Sequence, residues 1–372
     1  MTESLSPPTG AAVSGSLAGA SIPPDREVVI AVDAMGGDYA PAEIVRGAAI
    51  YLHQFGTEQN SVVVLTGDEE RIGAELRHIR ESGQAHAAYA PERLRVVPTS
   101  QIIGMDEHPM EAFREKPDSS LLKCIHLVHT GQADGAFSAG NTGAFMVAAT
   151  QILERITGVK RPAIATLFPN ETGGRAVVVD AGANVDCRPS QLLQFALLGS
   201  IYAEHVLGVV NPRIGLLSNG EEDAKGSELV HGARTLLENA RPALNFVGNV
   251  EGNHVFEGGV DVVICDGFVG NVLLKGAEGV VRLVLSLLAA DAKNAPDETT
   301  REALLASLLR LRQRVDYSEF GGAPLLGVNG PVFIAHGRSD SRAIATGIQI
   351  AAQASRSGYV ASIRQALGGA AA

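Results

Sequence analysis

Short apolar runs rich in Val and Ile recur along most of the chain, and each stops at a turn of small or polar residues. They fall at Val28–Val32, Val62–Leu65, Leu94–Val97, Gly135–Ser138, Ile164–Phe168, Ala176–Val179, Ile214–Leu217, Asn245–Val247, Val260–Ile264 and Val332–Ile334. Continuous apolar runs without polar alternation predict strands buried on both faces. Between them the apolar spacing becomes helical, at Ala42–His53, Leu121–His129, Leu192–Val206, Ser227–Leu237 and Ser341–Ala354. This alternation predicts an α/β fold with a largely parallel sheet covered on both faces by helices. No internal repeat interrupts it.

One segment breaks the order. Gly270–Leu288 and Arg301–Val315 read as consecutive helices joined by a polar turn through Asn294, Pro296 and Asp297. In the second, Leu304, Leu308, Leu311 and Val315 form one stripe, widened by Leu305 and Leu309, with Arg310 and Arg314 opposite. Two helices with no strand between them predict a hairpin, about residues 270–316, projecting from the sheet. Its stripe suits packing on the same core, a dimer interface or contact with a membrane surface.

Composition narrows the class. With 372 residues, 45% hydrophobic and 5% aromatic, and no Trp, the core is built from Val, Leu, Ile and Ala. The formal charge of −11 argues against nucleic acid as a partner, which normally meets a basic face. Cys124, Cys187 and Cys265 are scattered and predict reduced thiols, with no spacing for a zinc site. Residues 1–26 are rich in Ser, Pro, Gly and Ala and lack a basic start or sustained apolar run. They predict a disordered tail rather than a secretory signal, ahead of a domain over 27–372. The longest apolar stretch, Val280–Ala290, is too short to span a bilayer and contains Arg282.

The candidate chemistry lies where strands end. Val28–Val32 runs into Asp33-Ala-Met-Gly36-Gly37-Asp38, and four later strands end in similar loops: 139–144, 180–186, 218–226 and 265–271. If the sheet is parallel, these carboxyl ends open at one edge and converge on one cleft. Glycine-rich turns and helix N-termini present backbone N–H groups to anions. The neutral donors are Asn141, Asn184, Asn219 and Asn271, and the cation is Lys225. A lysine at a helix start is usually a solvated surface residue, but Lys225 opposes the dipole there, which makes a ligand-binding role more plausible. A phosphate cleft of this kind assigns substrate contacts to Asp33, Gly36, Gly37, Asp38, Gly140, Asn141, Thr142, Gly143, Asn184, Asp266, Gly267, Gly270 and His336. Asp33 and Asp38 repel phosphate when ionised, so they are expected to orient other groups or hold the loop. Simpler roles remain open: Asn271 as a helix cap, His336 as a loop residue, the glycines as plain turns. Neither G-x-G-x-x-G nor a P-loop is present, and 135–140 has the wrong spacing for a nucleophile elbow.

From Val28 to the C-terminal helix the chain resembles the phosphate acyltransferases of bacterial phospholipid synthesis, the PlsX family. The resemblance rests on Ala31-Val-Asp-Ala-Met-Gly-Gly-Asp38, Ser138-Ala-Gly-Asn-Thr-Gly-Ala144, Asp180-Ala-Gly-Ala-Asn-Val-Asp186, Asp266-Gly-Phe-Val-Gly-Asn271 and Ala335-His-Gly-Arg-Ser-Asp340. It implies a homodimer with a three-layer α/β/α sandwich similar to phosphotransacetylase and to isocitrate and isopropylmalate dehydrogenases, using neither metal nor cofactor. It also implies transfer of a fatty acyl group from acyl-acyl-carrier protein to inorganic phosphate, at the inner face of the membrane. The hairpin is then the segment for dimerisation and peripheral membrane contact. Lys225 and Asn271 match the family's key active-site side chains. Glu221 stands where the family usually has Thr, and Ala224-Lys225 replaces the usual Lys-Lys pair.

Direct attack of bound phosphate on the thioester needs no covalent enzyme intermediate, consistent with the missing nucleophile elbow. An acidic carrier protein requires a local basic surface, for which Arg310, Arg312 and Arg314, or Arg77, Arg80 and Arg114, are candidates. Two rival readings share the sequence pattern. One is a nicotinamide-dependent dehydrogenase of similar architecture, and the other a membrane-associated scaffold whose glycine loops are structural.

Overall fold

The structure, a computed structural model, describes residues 21–241, 243–315 and 322–368. Residues 1–20 of the expected tail lie outside the described residues, as does the side chain of Arg314. Residues 21–26 lie against the domain: Ile22 is buried, its N–H donates to the Arg356 carbonyl at 3.1 Å, and the Arg356 guanidinium donates to the Pro23 carbonyl at 3.0 Å.

The strands are β1 (Val28–Asp33), β2 (Ser61–Gly67), β3 (Leu94–Pro98), β4 (Gly135–Ser138), β5 (Ala163–Pro169), β6 (Arg175–Val179), β7 (Ile214–Leu217), β8 (Phe246–Val250), β9 (Val262–Ile264), β10 (Ala323–Leu326) and β11 (Val332–Ile334). The helices are α1 (Ala42–Tyr51), α2 (Glu69–Glu81), α3 (Pro109–Glu115), α4 (Ser120–His129), α5 (Thr142–Ala148), α6 (Pro189–Leu207), α7 (Glu228–Asn239), α8 (His254–Glu257), α9 (Gly267–Lys293), α10 (Glu298–Val315), α11 (Ser341–Ser357) and α12 (Tyr359–Gly368). All strands join one 11-stranded sheet in the order β3-β2-β1-β4-β11-β10-β5-β6-β9-β7-β8.

Side-chain alternation along the strands feeds two layers. Ala163, Ala165 and Leu167 of β5 point into one continuous core with α1, α2, α6, α7, α11 and α12. Ile164 and Phe168 point to the other face, where the apolar residues divide into two clusters. One gathers α3, α4 and α5, and the other Val255 of α8 with Leu273, Leu274 and Ala277 of α9.

The sheet corrects the expectation of a single loop-bearing edge. Strands β3, β2, β1, β4 and β11 are mutually parallel, as are β6, β9, β7 and β8. Between them β10 runs antiparallel to β11 and β5, and β5 antiparallel to β6. Three reversals separate the halves, so their strands point in opposite directions. The loops after β1, β4 and β11 therefore open at one edge, and those after β6, β7 and β9 at the other. The two reversals at β10 cancel, leaving β11 and β5 pointing the same way, so the net reversal comes from the antiparallel pairing of β5 with β6, strands that the apolar pattern marks without fixing how they pair. β10 itself goes unannounced, since Ala-Pro-Leu-Leu has no β-branched residue.

The expected hairpin forms with longer arms. Asp266 caps α9 by accepting the Val269 N–H at 2.9 Å, and α10 returns along α9. Leu304, Leu308 and Leu311 of α10 are half-buried, whereas Leu305 and Leu309 are exposed. With Val272, Val280, Leu283, Val284 and Leu287 of α9 they leave a broad apolar face uncovered.

Candidate active site

Each half of the sheet gathers its loops around a buried aspartate at the end of a strand. Asp33, closing β1, accepts the Ser138 hydroxyl at 2.7 Å and the Met35 N–H at 3.2 Å. Asp180, following β6, accepts the N–H groups of Ile164, Gly182, Ala183 and Asn184 and the Asn184 side-chain amide, at 2.6–3.2 Å. Burial pushes both carboxyls above the usual range, and these hydrogen bonds pull back against it. The loops close so tightly that a Cβ on Gly270 would overlap the Asp180 carbonyl oxygen, and one on Gly36 the Asp33 carboxylate.

A cavity of about 290 Å³ lies between the two gathered edges. Its position follows from the shortness of β10, whose pairing with β5 reaches only Ile164, while β5 continues to Pro169. Beyond Ala323, among the described residues, no strand fills the space between β5 and β11. Ile164, Thr166, Leu167, Ala323 and Ile334 line that gap. Helix α9 bridges the edges. Its first turns leave the β9 end, and Asn271, Leu274, Lys275 and Glu278 line the cavity at i, i+3, i+4 and i+7, one helical stripe. Thr142 at the start of α5 lines it from the opposite half, with His336 and Ser339 from the loop before α11.

The charges sit together at this mouth. Lys275 Nζ lies 3.1 Å from Glu278 Oε2. His336 Nδ1 accepts the Arg338 N–H at 3.1 Å, so the neutral ring carries its proton on Nε2. Burial lowers the His336 pKa, with Lys275 and Arg338 adding to that effect and Glu278 and Asp38 opposing it. The site thus offers an amide, an ammonium group, a carboxylate and a neutral imidazole above an apolar floor.

Of the residues expected from sequence, Thr142, Asn271 and His336 line the cavity. The others are placed around it. Asn141 caps α5 through the Ala144 N–H and donates to the carbonyls of Gly104, Met105 and Glu107. Asn184 ties the Pro162 carbonyl to Asp180. Asp38 donates its N–H to Gly337 and faces Arg338 at 3.8 Å. Gly36 and Gly140 pack beside Asp33, Gly37 beside Ala139 and Gly337, Gly143 against Pro109, and Gly267 and Gly270 against the Asp180 loop. Lys225 is exposed on the 218–226 loop, which leaves the sheet at the same edge as the 265–271 loop, from the neighbouring strand. Glu221 accepts from His254 Nε2 at 3.2 Å, which turns its charge toward that ring. Sequence reasoning missed Lys275 and Glu278, although their i+4 and i+7 spacing from Asn271 was available as a signal. It also missed Thr166, for which no comparable pattern exists, and Ser339, although that residue stands inside the Ala335–Asp340 motif.

The family model described as fatty acid synthesis protein matches residues 28–362. A phosphate acyltransferase of Desulforudis audaxviator is 47% identical over 342 residues, covering 91% of this chain and 96% of that protein. The phosphate acyltransferase of Halothermothrix orenii is 46% identical, with 90% and 97% covered. Among solved structures, a phosphotransacetylase from Streptococcus pyogenes aligns with TM-score 0.58 at 16% identity, covering 88% of this chain and 93% of its own. A branched-chain phosphotransacylase from Enterococcus faecalis V583 aligns with TM-score 0.56 at 14% identity, covering 89% and 99%. The sheet with its reversed centre is therefore the fold of the phosphotransacylases, and by sequence this chain belongs to the fatty acid synthesis protein family, whose members named here are acyltransferases.

Proposed function

We propose that the cavity transfers a fatty acyl group from the thioester of acyl-acyl-carrier protein to inorganic phosphate, giving acyl-phosphate and free carrier protein. The observation that carries this reading is the α9 stripe, which sets the Asn271 amide and the Lys275 ammonium over an apolar floor. Phosphate needs fixed donors and positive charge, and the thioester carbonyl needs a donor where its oxygen becomes anionic. A phosphate oxygen attacks the carbonyl carbon, the C–S bond breaks, and the carrier thiolate leaves and takes up a proton. Asn271 donates to the developing oxyanion. Lys225, brought in by its exposed loop, neutralises the phosphate, and Lys275 holds the second reactant at the mouth. Holding both reactants in register supplies much of the rate.

Direct attack suits the chain's thiols. Burial pushes Cys124 and Cys265 well above the usual thiol range and Cys187 up to about 11, so none is poised as a thiolate nucleophile. The test is thiol release from acyl-acyl-carrier protein with and without phosphate, with hydroxylamine trapping of the product. We expect phosphate-dependent release and a trapped acyl hydroxamate. Asn271→Ala should lower kcat by about 10²–10³, the typical cost of one oxyanion donor. Release that ignores phosphate, or full activity in Lys225→Ala, would sink the assignment of roles.

The uncovered apolar face of the hairpin supports a homodimer joined through α9 and α10, with its rim resting on the inner face of the membrane. Among the described residues no helix is long and apolar enough to cross a membrane, so the contact proposed is peripheral. The exposed Arg310 and Arg312 of α10 supply a basic surface for the acidic carrier protein. Leu283→Glu combined with Leu287→Glu should yield monomers in sedimentation and reduce liposome flotation. Unchanged sedimentation would remove the hairpin from the dimer.

A further inference from the structure

We infer that the acyl chain passes through the gap in the sheet above β10 and ends in a second cavity on the opposite face. This rests on the acyl-transfer reading above and deepens it by giving the chain its path. The second cavity, about 370 Å³, is lined by Leu167, Arg175, Val206, Leu207, Val209 and Ile350, among others. Leu167 lines both cavities. Helix α11 also borders both, with Ala343 at the first and Ile350, two turns further on, at the second.

The second cavity lies on one side of the sheet, whereas the first is lined from both, with Leu167 and Ala335 of the continuous layer among its walls. The first opens on the α9 face, where Ile164 and Leu274 belong to the divided layer. Leu167, Val206, Leu207, Val209 and Ile350 all belong to or pack on the continuous layer behind it. A sheet normally separates its faces, but among the described residues β10 reaches no further than Ala323 on this side, and Leu167 lines both spaces. Size requires such an extension. At about 290 Å³ the first cavity is near the lower limit of roughly 300 Å³ for ligand pockets. It must hold phosphate and the thioester head together, so a long chain needs further apolar room. The second cavity supplies it through an aliphatic wall of Leu167, Val206, Leu207, Val209 and Ile350, beside Arg175 and Gln353.

The chain contains no Trp, so Val209→Trp both narrows the far cavity and installs a single reporter. With hexadecanoyl donors the variant should lose at least about tenfold in kcat/KM, the equivalent of withdrawing about two methylenes from an apolar site. With butyryl donors it should stay within about twofold of the parent, since the reacting head does not reach Val209. Ile350→Ala, which widens the same cavity, should retain activity on both donors. Independently of turnover, hexadecanoic acid brominated near its methyl end should quench the Val209→Trp emission, and butyric acid brominated likewise should not. Equal losses on both donors, or no quenching, would overturn the path. If neither donor shows phosphate-dependent release, the acyl-transfer reading fails, while quenching still decides whether a chain occupies the cavity.

Discussion

Asp33 and Asp180 hold matching places in the two halves of the sheet, yet their surroundings differ in kind. Both close a strand, both are buried, and both carry a carboxyl raised by desolvation. Asp33 shares its bonds with a hydroxyl, Ser138, which can rotate to donate or accept. Asp180 faces four backbone N–H groups and an amide held by Pro162, none of which can reverse its polarity. Neither carboxylate lines the cavity. Glycines and aspartates in these loops thus serve mainly to seat the backbone, and most of the polar side chains facing the cavity come from the stripe of α9 and the loop before α11. The same contrast implies that the Asp180 half tolerates less change.

Gly270→Ala should show the largest stability effect. Its Cβ meets a backbone carbonyl that cannot turn aside, so the cost should reach about 3 kcal/mol, the upper end for overpacking. Gly36→Ala meets a carboxylate and the Gly140 backbone, and should cost about 1–3 kcal/mol because the carboxylate can shift. Urea midpoints of the two variants measure the difference. A milder Gly270→Ala would mean that the 265–271 loop is not clamped on Asp180.

Asp180→Asn should come next. An amide in place of one carboxylate oxygen points a donor at donors, and losing bonds to a charged group costs about 1.5–3 kcal/mol. Asp33→Asn should cost about 1 kcal/mol, since the Ser138 hydroxyl can turn to accept. The pH dependence sharpens this pair. A carboxyl raised in the folded state favours folding most where it is protonated, below its unfolded pKa, and that contribution is lost as pH rises through the folded value. The stability of the parent relative to Asp33→Asn should therefore grow as pH falls from neutrality toward 3.8, the unperturbed Asp value. A difference that is flat in urea titrations across that window would show Asp33 ionised with equal ease in both states.

The strands, the flanking helical layers and the hairpin were legible in the sequence because each is written as local apolar period. Val28–Val32 and Ile214–Leu217, for example, predict β1 and β7 nearly to the residue. What could not be read was direction. The short turn between β5 and β6 makes them an antiparallel pair and reverses the sheet, so loops assigned to one edge divide between two. The same limit explains the site. Thr142, Asn271 and His336 announce themselves through small-residue motifs, whereas Lys275 reaches the cavity only because α9 crosses from one edge to the other. Asn141 and Asn184 show the converse, motif residues whose amides are fully used in joining loops.

The smallest effect expected is also the most discriminating for the cavity itself. His336 lies where burial lowers its pKa, the Lys275 ammonium lowers it further, and the Glu278 carboxylate raises it. Lys275→Met removes a like charge and should move the His336 titration up, toward the ordinary imidazole value. Glu278→Gln removes an opposite charge and should move it down. Ring-proton NMR across the acid range reads both shifts directly. A general loosening of the cavity would hydrate the ring and raise its pKa in both variants, so opposite signs separate electrostatics from packing. Because only the neutral ring persists near neutrality, phosphate-dependent turnover in the parent should fall only on the acid side, below the usual His range. Lys275→Met should bring that acid limb to higher pH, whereas the Asp33 and Asp180 variants, whose carboxyls do not line the cavity, should leave it where it is.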